Sequence, residues 1–270
     1  MINKQLLQKR FSEQAITYDQ YANVQKRMAR QCIHLLSKQK GDHNIEILEV
    51  GCGTGYFTQL LCETFPNARI TSIDLAPGMI ERAREKVKEK RVTFLCGDIE
   101  EMSLRGGYDL IVSNATFQWL NHLPKTIERL SELLNKNGIF LFSTFGNETF
   151  HELHTSYERA KQKLQLTTNS SPGQTFRSFE ELKVICKQAL ASQNSYNIIG
   201  SQFLEIEYFP TVRAFFTSVK KVGENNSNKE NYCQRPAFFR EFLNQYEVNY
   251  RDEAGVKATY HCIFMYITKR

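Results

Sequence analysis

Residues 45–55 read IEILEVGCGTG, and this stretch decides the fold. Ile45, Ile47, Leu48 and Val50 form a short apolar run of strand length. The run breaks into glycines at alternate positions, Gly51, Gly53 and Gly55. The next ten residues, YFTQLLCETF, carry Phe57, Leu60, Leu61 and Phe65 at helical spacing. Strand, glycine turn and helix together predict the first βα unit of a nucleotide-binding sheet. A ligand in such a turn lies almost on the backbone, where a Cβ would stand in its way.

Spacing narrows the ligand. A dinucleotide site reads G-x-G-x-x-G and seats a pyrophosphate on the helix N-terminus. In this chain Glu49 stands two residues before the first of three alternating glycines. A carboxylate there repels a pyrophosphate, which disfavours an NAD-dependent dehydrogenase, and it suits a cation. The pattern E-x-G-x-G-x-G resembles the signature of class I S-adenosylmethionine methyltransferases.

Two more acids follow the same logic. The second predicted strand, residues 68–74, ends on Asp74, where a carboxylate can accept from both ribose hydroxyls. Leu75 and Met79 lead into a helix predicted over 79–90; Met79 suits the adenine face or the core equally. The third strand, 92–98, ends on Asp98 and is followed by Ile99. The resemblance implies that Asp98 contacts the adenine amino group and that its neighbour packs on the ring. Strand four, 108–114, ends on Asn114; Phe117, Gln118 and Trp119 come next. These residues belong beside the sulfonium and the acceptor. A helix over 126–134 and a strand over 139–145 complete the series. Glu49, Asp74 and Asp98 thus end three consecutive strands, at the edge where open α/β sheets bind ligands. Cys52, within the glycine turn, joins the same donor set.

The expected architecture is α/β: one domain, 1–270, on a doubly wound Rossmann-like sheet of seven mostly parallel strands. Residues 1–40 form a helical lid, with Phe11, Tyr18 and Tyr21 either closing on a ligand or anchoring the segment to the core. Residues 45–145 form the S-adenosylmethionine core. Residues 146–270 hold insertions, over 150–210 and 224–236, and the closing strands. Within them, 167–174 and 224–232 read as loops, and 203–209 and 258–268 as strands.

Composition excludes other classes. No run of roughly 18 apolar residues spans a membrane, and MINKQLLQKRF lacks a signal peptide's apolar centre. Seven cysteines without C-x-x-C pairs predict reduced thiols in a cytoplasmic protein. His151 and His154 share a helix face but have no third ligand, so no metal is expected. The net charge of +6 suits an acidic partner, yet no tract is basic enough for nucleic acid.

A narrower resemblance spans nearly the whole chain. Phe11, Ala15, Tyr18, Asp19 and Ala22 match a lid segment of small-molecule methyltransferases. Ser218-Val219-Lys220 continues the resemblance, and Gln118-Trp119, Glu152-Leu153-His154 and Thr259-Tyr260-His261 are its more specific elements. Together they resemble the malonyl-acyl-carrier-protein O-methyltransferases of biotin synthesis. That family methylates the free carboxyl of a malonyl thioester carried by acidic acyl carrier protein, or by coenzyme A. The carboxylate is ionised at neutral pH and needs no general base. Gln118, Trp119 and Tyr18 would position it. Thr217 stands where some relatives carry a basic residue, which leaves the carboxylate's partner open among His154, Lys220, Lys221, Tyr260 and His261. Two other readings share the 45–145 motifs. One is a methyltransferase of another small carboxylic acid or quinone precursor. The other is a non-catalytic S-adenosylmethionine-binding sensor, which a methyl-transfer assay separates.

Overall fold

The computed structural model describes residues 1–37, 44–167, 172–191, 196–223 and 236–270. The loop expected over 224–232 lies outside them, as do the end of the 1–40 lid and part of the 167–174 loop. Ten helices are described: α1 (Lys4–Gln14), α2 (Tyr18–Tyr21), α3 (Asn23–Leu35), α4 (Tyr56–Thr64), α5 (Pro77–Lys86), α6 (Leu123–Glu132), α7 (His151–Lys163), α8 (Phe179–Ala189), α9 (Val212–Lys221) and α10 (Pro236–Tyr250). The strands are β1 (Glu46–Val50), β2 (Arg69–Asp74), β3 (Val92–Cys96), β4 (Tyr108–Ser113), β5 (Leu134–Phe145), β6 (Tyr196–Phe209), β7 (Arg251–Asp252) and β8 (Gly255–Lys269).

β1 lies at the heart of the sheet because it is apolar on both faces. Ile47, Leu48 and Val50 are all at most 1% exposed. β1 pairs in parallel with β2 on one side and β4 on the other, Leu48 lying against Thr71 and Ile111. The strand order is β3-β2-β1-β4-β5-β8-β6. β8 runs antiparallel to both of its neighbours. That path has the seven strands expected, and the two-residue β7 adds a stub on β8.

The two faces bury separate cores. Ile47, Ile70 and Val112 pack with Met28 and Cys32 of α3, Leu61 of α4 and Ala83 of α5. Tyr157 of α7, Phe215 of α9 and Tyr246 of α10 extend that layer. Leu48, Ile111, Phe140 and Phe142 face the other way, onto Ile127 and Leu130 of α6 and Leu182 of α8. Each such side chain contributes roughly 1.5–3 kcal/mol by leaving water. Helices on both faces make the sheet doubly wound.

Local details differ from expectation for identifiable reasons. α5 starts at Pro77, whose fixed φ suits the first helical turn, and stops at Lys86. β6 begins at Tyr196 rather than at 203, so the insertion ends before 196. Ile198 is half-buried and Ile199 is 58% exposed, because an edge strand leaves both faces partly wet. The alternation that would reveal a strand is therefore blurred. Ser178 caps α8, accepting from Glu181 N–H at 3.2 Å while Glu181 accepts from Ser178 N–H at 2.6 Å. Among the described residues no helix is long and apolar enough to cross a membrane, and no cluster of His, Cys, Asp and Glu is fit to hold a metal ion.

Candidate functional site

The glycine turn after β1 is laced to β2. Gly51 and Cys52 N–H both donate to Ile73 O, at 2.8 and 3.0 Å. The three glycines then do different work. A Cβ on Gly51 would sit 2.0 Å from Thr116 Oγ1, and one on Gly55 would sit 3.0 Å from Ala83 Cα. These two let protein pack against protein. Gly53 has φ +54°, and a Cβ there meets nothing within 4 Å. It faces open space at the end of the sheet.

That space is a cavity open at its mouth to solvent. Gly51, Gly53, Asp74, Leu75, Met79, Asp98, Ile99 and Asn114 line it, as do Tyr18 and Trp119. Cys52 lines a smaller pocket that shares Tyr18, Gly51, Gly53 and Asn114 with the cavity. Glu49, Gly55 and Phe117 do not line either space. Phe117 stacks on Phe142 with ring centres 4.4 Å apart, which makes it a core ring.

The acids differ in their surroundings. Asp74 Oδ2 accepts from Gly53 N–H and Oδ1 from Ala76 N–H, each at 2.8 Å. Burial pushes its pKa up to about 6 against the pull of those two bonds. Glu49 lies beneath the turn, 0% exposed. Its Oε2 accepts from Thr58 Oγ1 at 2.6 Å and Ser72 Oγ at 2.7 Å. Its Oε1 is buried with no hydrogen-bond partner among the described residues. Burial pushes Glu49 up to about 7, outweighing the two hydroxyls, and the charge of Asp74 adds to the rise. Asp74 and Glu49 have no cationic partner among the described residues, and such a pair of acids fits a cation.

The N-terminal segment closes the rim. Lys4 lies 3.3 Å from Asp98 and 2.6 Å from Glu100. Gln8 Nε2 donates to Leu75 O at 2.9 Å, and Gly78 N–H to Ser12 Oγ at 3.3 Å. The Phe11 ring meets Trp119 edge-on at 5.7 Å and Tyr18 at 6.5 Å. Asp19 accepts from Thr54 Oγ1 at 2.6 Å and pairs with Lys86, which ties α2 to the turn and to α5. Phe11, Tyr18 and Trp119 all line the cavity. Lys4 and Gln8 carry no local signal that marks them, because their partners lie far away in the chain.

Gln118 points out of this cavity. Its Nε2 donates to Ala115 O at 2.7 Å, and its Oε1 accepts from Thr144 Oγ1 at 2.9 Å. It lines a second cavity with Phe145, Phe176 and Arg177, and Leu120 is common to both. The five residues expected to hold a carboxylate line neither cavity. His154 is half-buried in α7 and its pKa is lowered by burial. Lys220 is exposed and Lys221 half-buried at the end of α9. Tyr260 packs between Phe145 and Phe150. His261 is 3% exposed, with Nε2 2.7 Å from Gln202 Oε1 and its pKa lowered by burial. Arg177 was not among the residues expected; as an isolated arginine in a loop it has no motif.

Comparison with known proteins bears on this geometry. A sequence model of methyltransferase domains matches residues 41–199. A malonyl-[acyl-carrier protein] O-methyltransferase of Priestia megaterium is 59% identical over 271 residues, covering 100% of this chain and 99% of that one. One of Bacillus anthracis is 48% identical, covering 100% and 98%. Among solved structures, the YcgJ protein of Bacillus subtilis superposes with a TM-score of 0.59 at 14% identity, over 89% of this chain and 99% of its own. That last likeness concerns the fold alone.

Proposed function

The chain belongs to the malonyl-[acyl-carrier protein] O-methyltransferase family, and on that premise we propose that it methylates the free carboxylate of malonyl-acyl carrier protein with S-adenosylmethionine. The observation that carries the reading within the structure is the cavity over Gly53, ringed by Asp74, Asp98 and Asn114. Bound there, S-adenosylmethionine supplies an electrophilic methyl group on a cationic sulfur. Asp74 retains lone pairs beyond its two backbone bonds and would accept from the ribose hydroxyls. Asp98 would take the adenine amino group, and Met79, Ile99 and Leu120 would wall the ring. Glu49, beneath the turn, would act on the donor through the field of its charge rather than by contact.

The acceptor's chemistry sets what the remaining residues do. A malonyl carboxylate is already ionised at neutral pH, so no side chain has to remove a proton. Catalysis then rests on holding the carboxylate in line with the methyl carbon and excluding water. Trp119 and Tyr18, closed over by Phe11, would exclude water from the cavity. Gln118 would hold the wall on the acceptor side, its side chain fixed by Ala115 and Thr144. The carrier protein is acidic, and a chain of net charge +6 would attract it at long range. We infer a cytoplasmic location from the free thiols of Cys32, Cys52, Cys62, Cys96, Cys186 and Cys262.

The chemistry is testable through pH. At saturating donor and acceptor, the single-turnover rate is expected to stay flat between about pH 6 and 8. A steep rise through that window would contradict the account and place a general base, such as His154 or His261, in the reaction.

A further inference from the structure

The second cavity has features that the donor does not use. Its lining is mixed: Phe117, Leu120, Phe145, Phe176 and Leu182 give it apolar patches, and Gln118, Asn121, Thr144 and Thr175 give it polar ones. Phe176 meets Phe145 edge-on at 6.1 Å. Within this lining sits one unsatisfied acceptor. Gln174 Nε2 donates to Gln118 O at 2.9 Å, and a carbonyl accepts only from the amide nitrogen, so the orientation of the Gln174 amide is fixed. Its Oε1 is left buried, with no hydrogen-bond partner among the described residues. A buried acceptor left without a partner calls for an N–H donor from a ligand. Three residues on, Arg177 lines the same cavity and is exposed to solvent. Glu181, the acid on this rim, is already engaged in capping α8 through Ser178.

Apolar patches, acceptor and cation line one cavity together, and one ligand presents groups that match all three. A phosphopantetheine arm has an apolar dimethyl segment, two amide N–H groups and an anionic phosphate at its far end. Resting on the function proposed above, we propose that the second cavity is the channel for this arm. Gln174 Oε1 accepts from one of its amides, and Arg177 holds its phosphate at the mouth. Leu120, common to both cavities, marks where the thioester end passes towards the donor. An arginine fork suits a phosphate because it offers two parallel N–H bonds.

The test compares Arg177→Met with the native protein on three malonyl thioesters: those of carrier protein, of coenzyme A and of N-acetylcysteamine. The first two share the phosphorylated arm, and the third lacks the phosphate. The expected result is a KM at least tenfold higher for both armed substrates, with kcat and donor affinity within twofold. Arg177→Lys should recover part of the loss. For the truncated thioester, kcat/KM should change less than twofold. An equal loss on the truncated thioester would place Arg177 at the malonyl end and overturn the channel. A loss confined to the carrier protein would place it on the carrier's surface and overturn it equally, as would no loss at all. Native turnover of the truncated thioester reports on the proposed function separately, since it does not involve the phosphate.

Discussion

Gly53→Val is expected to lower S-adenosylmethionine affinity by at least about a hundredfold while the protein stays folded. A hundredfold change corresponds to roughly 2.7 kcal/mol, which a side chain standing in the ligand's volume readily exceeds. A Cβ at this position meets no protein atom within 4 Å, so the new side chain projects into the cavity. The positive φ of +54° adds strain of about 1–3 kcal/mol for a β-branched residue, and the melting temperature should fall accordingly. Gly51→Val should behave differently. Its Cβ would lie 2.0 Å from Thr116 Oγ1, so the damage there falls on packing as well as on binding. Calorimetric titration of each variant, paired with thermal melting, separates the two. A Gly53→Val protein that binds the donor normally would remove the glycine turn from the site.

Glu49→Gln is expected to change how stability depends on pH. The Glu49 carboxyl is pushed up from 4.5 to about 7 by burial. Between those values the folded protein holds a proton that the unfolded chain has shed. The stability from this group is therefore complete below about pH 4.5 and is lost as pH rises through 7. The loss is about 3 kcal/mol, since each tenfold change in proton affinity is worth roughly 1.36 kcal/mol. Glutamine stays neutral and escapes it. Measured by urea unfolding without donor, the variant should gain about 3 kcal/mol on the native protein between pH 4.5 and 8. Saturating donor should shrink that gain, because a bound cation favours the ionised native carboxylate. A stability difference that does not vary with pH would mean that Glu49 is ionised throughout, with its charge compensated.

Much of this was legible because it is local. The apolar run 45–50, the alternating glycines and the acids at strand ends all lie within short stretches, and the sheet brings those strand ends to one edge. Eight of the twelve expected donor residues line the donor cavity for that reason. What escaped reading is long-range or depends on direction. Lys4 reaches Asp98 across 94 positions, which no window of sequence reveals. The start of β6 was hidden because an edge strand does not need a clean alternation. The candidate partners of the carboxylate rest on side-chain type and on the resemblance, neither of which says where a side chain points. His261 and Tyr260 are of the right type, but they turn into packed surroundings rather than into a cavity. Arg177 faces a cavity and belongs to no motif.

The central claim is methyl transfer to a malonyl carboxylate, and intact-mass spectrometry of the carrier protein tests it most directly. Malonyl-acyl carrier protein incubated with this protein and S-adenosylmethionine should gain the mass of one methyl group, while acetyl-acyl carrier protein, which lacks the carboxylate, should gain none. No gain on the malonyl carrier, or an equal gain on the acetyl carrier, would contradict the account.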